Sequence, residues 1–210
     1  MKKKAFSLLA VLFFVSSSAF GQLNDFGIKV GGQSAGAFSD QNDFSRVVGF
    51  GIYGFADIKL NQMLFTTLDL GYTQRGFTNS QTETDSMGQK IQKVEATSRL
   101  SYISFTGFLN ASLSRESPFY FGAGPRVDYL IDSTAGKFEF TSVTVEDNTS
   151  EGLDDFVVGG SFIAGIKDLS IMSSEFKVEL KYEVDFTDSF SESAFSYRNN
   201  ALMLVIGLSL

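Results

Sequence analysis

Phe176-Lys177-Val178-Glu179-Leu180-Lys181-Tyr182-Glu183-Val184-Asp185-Phe186 is the most constraining stretch of this sequence. Every even position is apolar and every odd position is charged. A helix would scatter both classes round its axis, whereas a strand sends alternate side chains to opposite faces. The segment therefore predicts a strand with one dry face and one polar face.

The same period of two recurs along the chain. Val48 to Leu60 places Val48, Phe50, Ile52, Ala56, Ile58 and Leu60 opposite Tyr53, Asp57 and Lys59. Leu64 to Gly76 sets Leu64, Leu68, Leu70 and Tyr72 against Thr67, Asp69, Thr73 and Arg75. Leu100 to Leu113 and Phe119 to Ile131 follow the same rule, with Arg126 and Asp128 on the polar side of the latter. Phe26 to Phe38 and Phe156 to Leu169 are richer in glycine and weaker in pattern. Ala201 to Leu210 ends the series with Leu202, Leu204, Ile206, Leu208 and Leu210 on one face. These are eight strands of about 10 to 13 residues. Globular strands run to about 5 to 6 residues and membrane-spanning strands to about 9 to 11.

The connections differ by kind. Those around Asn61-Gln62, Arg115-Glu116-Ser117 and Ile171-Met172-Ser173 are short. Those from Ser39 to Val47, Thr78 to Thr97, Asp132 to Asp155 and Thr187 to Asn200 are long. Short and long alternate, as in outer-membrane barrels with short periplasmic turns and longer outer loops. The expected fold is all-β: an eight-stranded antiparallel up-and-down transmembrane β-barrel, with both termini at the periplasmic, short-turn end.

Volume decides which face is dry. The interior of an eight-stranded barrel is just filled by side chains and leaves no aqueous channel. It has no room for the Phe, Leu, Ile and Val of all eight dry faces. A lipid-facing band does. Lys29, Asp57, Lys59, Asp69, Arg75, Arg126, Asp128, Lys177, Glu179, Lys181, Glu183 and Asp185 are then expected in the lumen as a structural, mutually neutralised charge network. Aromatics at strand ends, Phe38, Tyr72, Phe77, Phe119, Tyr129, Phe156 and Phe186, are expected in interfacial girdles.

Met1-Lys2-Lys3-Lys4, the apolar run Ala5 to Val15 and the small residues Ala19 and Gly21 have the order of a secretory signal peptide. Residues 1–21 are expected to be cleaved, leaving 22–210 as the barrel domain. Without Lys2, Lys3 and Lys4 the formal charge of -7 becomes about -10. That sign argues against nucleic acid as a partner.

The chain has no His and no Cys. A Ser-His-Asp triad, a thiolate nucleophile, an ordinary zinc site and a disulfide framework are excluded. No catalytic residue, cofactor or metal ligand is expected. Gly31-Gly32 and Gly159-Gly160 precede no helix, so they carry no phosphate-cradle signal. Asp132, Glu139, Glu146, Asp147, Glu151, Asp154 and Asp155 match no EF-hand spacing and read as a solvated acidic loop. Phe138-Glu139-Phe140 and Val143-Thr144-Val145 suggest that this loop continues as strand above the membrane.

Several pieces resemble the PorT family of outer-membrane proteins of Bacteroidetes. They are Lys29-Val30-Gly31-Gly32, Leu70-Gly71-Tyr72-Thr73-Gln74-Arg75-Gly76, Gly122-Ala123-Gly124-Pro125-Arg126-Val127-Asp128-Tyr129-Leu130, Leu180-Lys181-Tyr182 and the ending Asn199 to Leu210. The resemblance implies an outer-membrane barrel assembled by the outer-membrane insertion machinery, and no single activity. The family's founding protein serves type IX secretion and gliding, while many relatives are small barrels of unassigned role. Tyr102-Ile103-Ser104-Phe105-Thr106 departs from the family's Tyr-x-Glu-x-Pro, and the last residue is Leu210 rather than an aromatic.

The expected role is structural, adhesive or accessory to an envelope machine, in a monomer whose partners are outer-membrane lipid and an unidentified envelope protein. The sequence leaves two other readings open. One is a soluble exported barrel around a lipophilic ligand. The other is an outer-membrane enzyme working with carboxylates alone.

Overall fold

In the computed structural model, residues 23–39, 44–85, 87–134, 136–140, 144–146, 153–171, 173–188 and 197–210 are described. The expected signal peptide lies outside them.

Ten strands follow one another: β1 (Leu23–Ser39), β2 (Ser45–Lys59), β3 (Leu64–Thr84), β4 (Lys90–Ser112), β5 (Phe119–Thr134), β6 (Lys137–Glu139), β7 (Thr144–Glu146), β8 (Phe156–Ile171), β9 (Ser174–Asp185) and β10 (Tyr197–Ser209). Eight close into one barrel, in the order β1-β10-β9-β8-β5-β4-β3-β2. All eight seams are antiparallel. The ring closes where β1 pairs with β10, from Gly27 opposite Ser209 to Ser39 opposite Tyr197. Closure satisfies the backbone polar groups without an edge, the condition for strands in hydrocarbon. No helix occurs among the described residues.

The period-two reading sets the faces. Leu202, Leu204 and Ile206 are exposed, while Ala201, Met203 and Val205 between them are buried. Phe121, Phe162 and Leu180 are likewise exposed on neighbouring strands. An apolar outer face surrounds an interior that holds eleven buried charged side chains, the reverse of a water-soluble barrel.

Two expectations change. The segment from Thr78 to Thr97 is a hairpin rather than a loop. β3 and β4 stay paired from Leu64 opposite Ala111 as far as Thr84 opposite Lys90. Their barrel neighbours stop earlier, at Thr78 for β2 and Arg99 for β5, so the hairpin continues past the ring. The polar run Asn79-Ser80-Gln81-Thr82-Glu83-Thr84 hid a strand because neither face there is buried in a core. Phe77, expected in a girdle, is instead buried with Leu100, Tyr102 and Val157, its ring 4.8 Å from that of Phe44. It shares the inward parity of Arg75. The other expected girdle residues except Tyr72 are exposed, Phe38, Phe119, Tyr129, Phe156 and Phe186 among them. Tyr72 is half-buried.

The expected strand in the Asp132 to Asp155 loop is present as β6 and β7, which pair Phe138 with Val145. Phe140 packs on Val94 and Ala96 of the projecting hairpin. Asp147, Glu151 and the Glu146 side chain lie outside what is described. Among the described residues no group of three or more acidic side chains is placed to hold a metal.

Candidate functional site

The lumen is where the chain gathers its chemistry. Buried there are five cations, Lys29, Arg75, Arg126, Lys177 and Lys181, and six carboxylates, Asp57, Asp69, Asp128, Glu179, Glu183 and Asp185. Burial of so many charges is tolerated only if they are paired and hydrogen-bonded. The pairing follows from strand geometry. Lys177, Glu179, Lys181 and Glu183 alternate in sign along β9 and Asp185 follows as a second carboxylate, and each meets its opposite from another wall.

At the short-turn end, Lys177 Nζ lies 2.6 Å from Asp57 and 3.3 Å from Asp25. Thr67 donates to Asp57 at 2.6 Å, and Asn110 donates to Thr67 at 2.7 Å. One layer up, Lys29 Nζ sits 3.0 Å from both Asp69 and Glu179. The Tyr120 hydroxyl donates to Glu179 at 2.5 Å. Lys181 then links the layers, 3.9 Å from Asp69 and 3.0 Å from Glu183.

The outer layer is built on two arginines. Arg75 sends one nitrogen to Asp128 and another to Glu183, each at 2.7 Å. Arg126 donates to Asp128 at 2.8 Å and also to Asp185. A planar guanidinium suits such bridging because its donors diverge in a fixed fork. Above it, Phe77, Leu100, Tyr102 and Val157 close the lumen toward the long loops.

Eleven of the twelve sequence-derived residues thus lie buried in the barrel. Lys59 does not. It has the inward parity of Asp57 but stands at the end of β2, exposed at the rim and outside the network. Parity gives a face, not a depth.

The period-two pattern already set Tyr53, Tyr102 and Tyr120 on the polar face, and all three are buried in the lumen; what it missed is Phe55 and the pairing of these rings with the cations. Lys177 lies 3.7 Å from the centre of the Phe55 ring, Lys181 4.3 Å from that of Tyr53, and Arg75 5.4 Å from that of Tyr102. These rings hold desolvated cations against a π-face. For Phe55 and Tyr53 the signal was the shared parity with Asp57 on β2, and for Tyr102 the shared parity with the polar Ser104, Thr106 and Asn110 on β4. Inward glycines make the room. A Cβ on Gly165 would lie 2.5 Å from the Tyr120 ring, and one on Gly51 2.7 Å from the Tyr53 ring.

A closed ring of eight antiparallel strands, apolar outside and charged within, defines an integral outer-membrane β-barrel. The chain belongs to the outer membrane protein beta-barrel domain family, whose model matches residues 20–191. A search of curated proteins returned no match. Among solved structures the chain is similar to Ail, the attachment invasion locus protein of Yersinia pestis, at 13% identity over 90% of this chain and 99% of that one, with a TM-score of 0.46. Neisserial surface protein A is 12% identical over 88% of this chain and 97% of that one, with a TM-score of 0.46. The N-terminal β-barrel domain of Pseudomonas aeruginosa OprF is 10% identical over 87% and 97%, with a TM-score of 0.34. At these identities the likeness is one of fold.

Proposed function

We propose that this chain is a closed, monomeric outer-membrane barrel with a structural, adhesive or envelope-accessory role, and that it works neither by catalysis nor as an open pore. The observation that carries the reading is the charge network spanning the lumen. Arg75 on β3 reaches Glu183 on β9, and Lys181 on β9 approaches Asp69 on β3. β3 and β9 are diametrically opposed in the ring. Ion pairs across the full diameter tie the walls together and occupy the path an ion would take. An interior of charges also argues against the soluble alternative, in which a lipophilic ligand needs an apolar cavity.

In this reading the short turns and both termini face the periplasm, and the projecting β3–β4 hairpin and the β6–β7 hairpin face outward. That direction is supported by the turn-length asymmetry of outer-membrane barrels. Residues 1–21 act as a cleaved signal peptide, and 22–210 are inserted by the outer-membrane assembly machinery. Membership in the PorT branch of Bacteroidetes barrels is supported by the ordered matches around Gly31, Gly71, Pro125 and Tyr182.

Planar-bilayer recording of the refolded protein tests the proposal. The expected trace is free of porin-sized steps, and a steady conductance of porin size overturns it. Crosslinking on intact cells with residues placed in the two outer hairpins then reports the envelope partner.

A further inference from the structure

At the short-turn end the barrel mouth forms a polar vestibule of about 250 Å³. Its floor is the buried Lys177–Asp57 pair beside Phe65. The wall is drawn from the β2–β3 and β4–β5 turns, from the adjoining ends of β8 and β9 and from both terminal strands.

Around this wall the charges separate by sign. Lys59 ends β2 and Arg115 stands on the β4–β5 turn. Asp168 and Glu175 stand on β8 and β9, with Asp25 of β1 beyond them in the ring. Lys167 is the informative case. It belongs to β8 and precedes Asp168, but its ammonium lies over the Phe65 ring of β3, 4.6 Å from the centre. The β8–β9 register shifts between Ile166 and Leu169, and Asp168 adopts φ 60°. Lys167 keeps the inward parity of Ile163 and Gly165, while the irregularity falls at Asp168, whose regular parity would face outward and which instead lines the vestibule.

Lys59, Arg115, Lys167, Asp168 and Glu175 make no ion pair within 4.0 Å of another described residue, although all five line one cavity. The cavity holds the two signs apart. A lone anion entering it meets Asp168 and Glu175, and a lone cation meets Lys59, Arg115 and Lys167. A ligand with both charges satisfies both arcs.

We propose that the vestibule binds a small dipolar ligand carrying an ammonium and a carboxylate, of amino-acid to dipeptide size. Its volume lies just below the roughly 300 Å³ at which drug-sized sites begin. The site opens to the periplasm in the orientation proposed above, but its chemistry does not depend on that orientation.

The test is calorimetric titration of the refolded full chain in detergent micelles with alanyl-alanine, N-acetyl-alanyl-alanine and alanyl-alanine amide. Alanyl-alanine is expected to bind with a Kd of about 1 mM or tighter. Capping either end is expected to weaken binding at least about fivefold, as are Arg115→Gln and Glu175→Gln. Both substitutions are at the rim, and an unchanged heat-dependent gel shift verifies that each variant is folded. Lys93→Gln on the projecting hairpin is expected to leave the affinity unchanged. No saturable binding up to about 10 mM overturns the proposal. So does equal affinity for the capped peptides, or full affinity in both R115Q and E175Q.

Discussion

Arg75 and Glu183 stand 108 residues apart in sequence and on opposite walls of the barrel, yet their side chains meet at 2.7 Å. The same guanidinium holds Asp128 at 2.7 Å and lies 3.9 Å from Asp185. One side chain therefore organises three carboxylates from two strands. Its neutralisation is shared by Arg126, which reaches the same three groups.

Removing that side chain should be costly. Arg75→Ala leaves Asp128 and Glu183 buried with a cation missing, and loss of one partner from a buried ionic group costs about 3–5 kcal/mol. Arg75→Lys should fall between, because an ammonium lacks the fork that reaches two carboxylates together. Reversible urea unfolding in lipid vesicles measures both. A loss below about 1 kcal/mol for R75A would mean the network is not holding the lumen together.

Tyr120 and Gly165 test the packing of the inner layer. Tyr120→Phe removes a hydrogen bond to the buried Glu179 carboxylate and should cost about 1.5–3 kcal/mol. Gly165→Val places carbon atoms where the Tyr120 ring lies and should cost about 1–3 kcal/mol through overpacking. Combining the two should give less than the sum, since both act on one ring. Additive losses in the same unfolding assay would argue against that contact.

The outer face should respond to charge by depth. Leu204 is 57% exposed in mid-strand β10, within the apolar band. Leu204→Arg should cost about 2–4 kcal/mol in bilayers if it lies near the midplane. Ile91→Arg, equally exposed on the projecting hairpin beyond the ring, should change folding by less than about 0.5 kcal/mol. The folded fraction read from the heat-shift gel in vesicles compares the two.

Much of this architecture was legible in the sequence, and the reason is geometric. The side-chain period of a strand is fixed at two, so Phe176 to Phe186 declares its faces outright. Eight such segments with alternating short and long links leave few topologies. Depth along the lumen was not legible. Lys59 has the right parity but overshoots the barrel, and Phe77 has the parity of Arg75 yet reads as interfacial if its position at a strand end is weighed first. The projecting hairpin was hidden because its β3 arm is a polar run facing water, and on its β4 arm the apolar side chains buried are Val94 and Ala96, covered by Phe140 from a distant segment. The partners of each charge were hidden too, since Lys29 meets Asp69 and Glu179 only when the ring closes.

The lack of cysteine that excluded thiol chemistry lets single-cysteine labelling test the proposed orientation. Met87→Cys at the tip of the projecting hairpin should react with a membrane-impermeant maleimide on intact cells. Gln62→Cys in the β2–β3 turn should react only after the outer membrane is permeabilised. The opposite pattern would invert the proposed topology.

The claim on which the rest depends is that the apolar face of the barrel touches lipid. It is tested by a single cysteine at Leu204, labelled with an environment-sensitive fluorophore and reconstituted into vesicles of brominated phospholipid, with Ile91→Cys as the reference outside the ring. The account predicts strong quenching at position 204 and little at 91. Equal, weak quenching at both would contradict it.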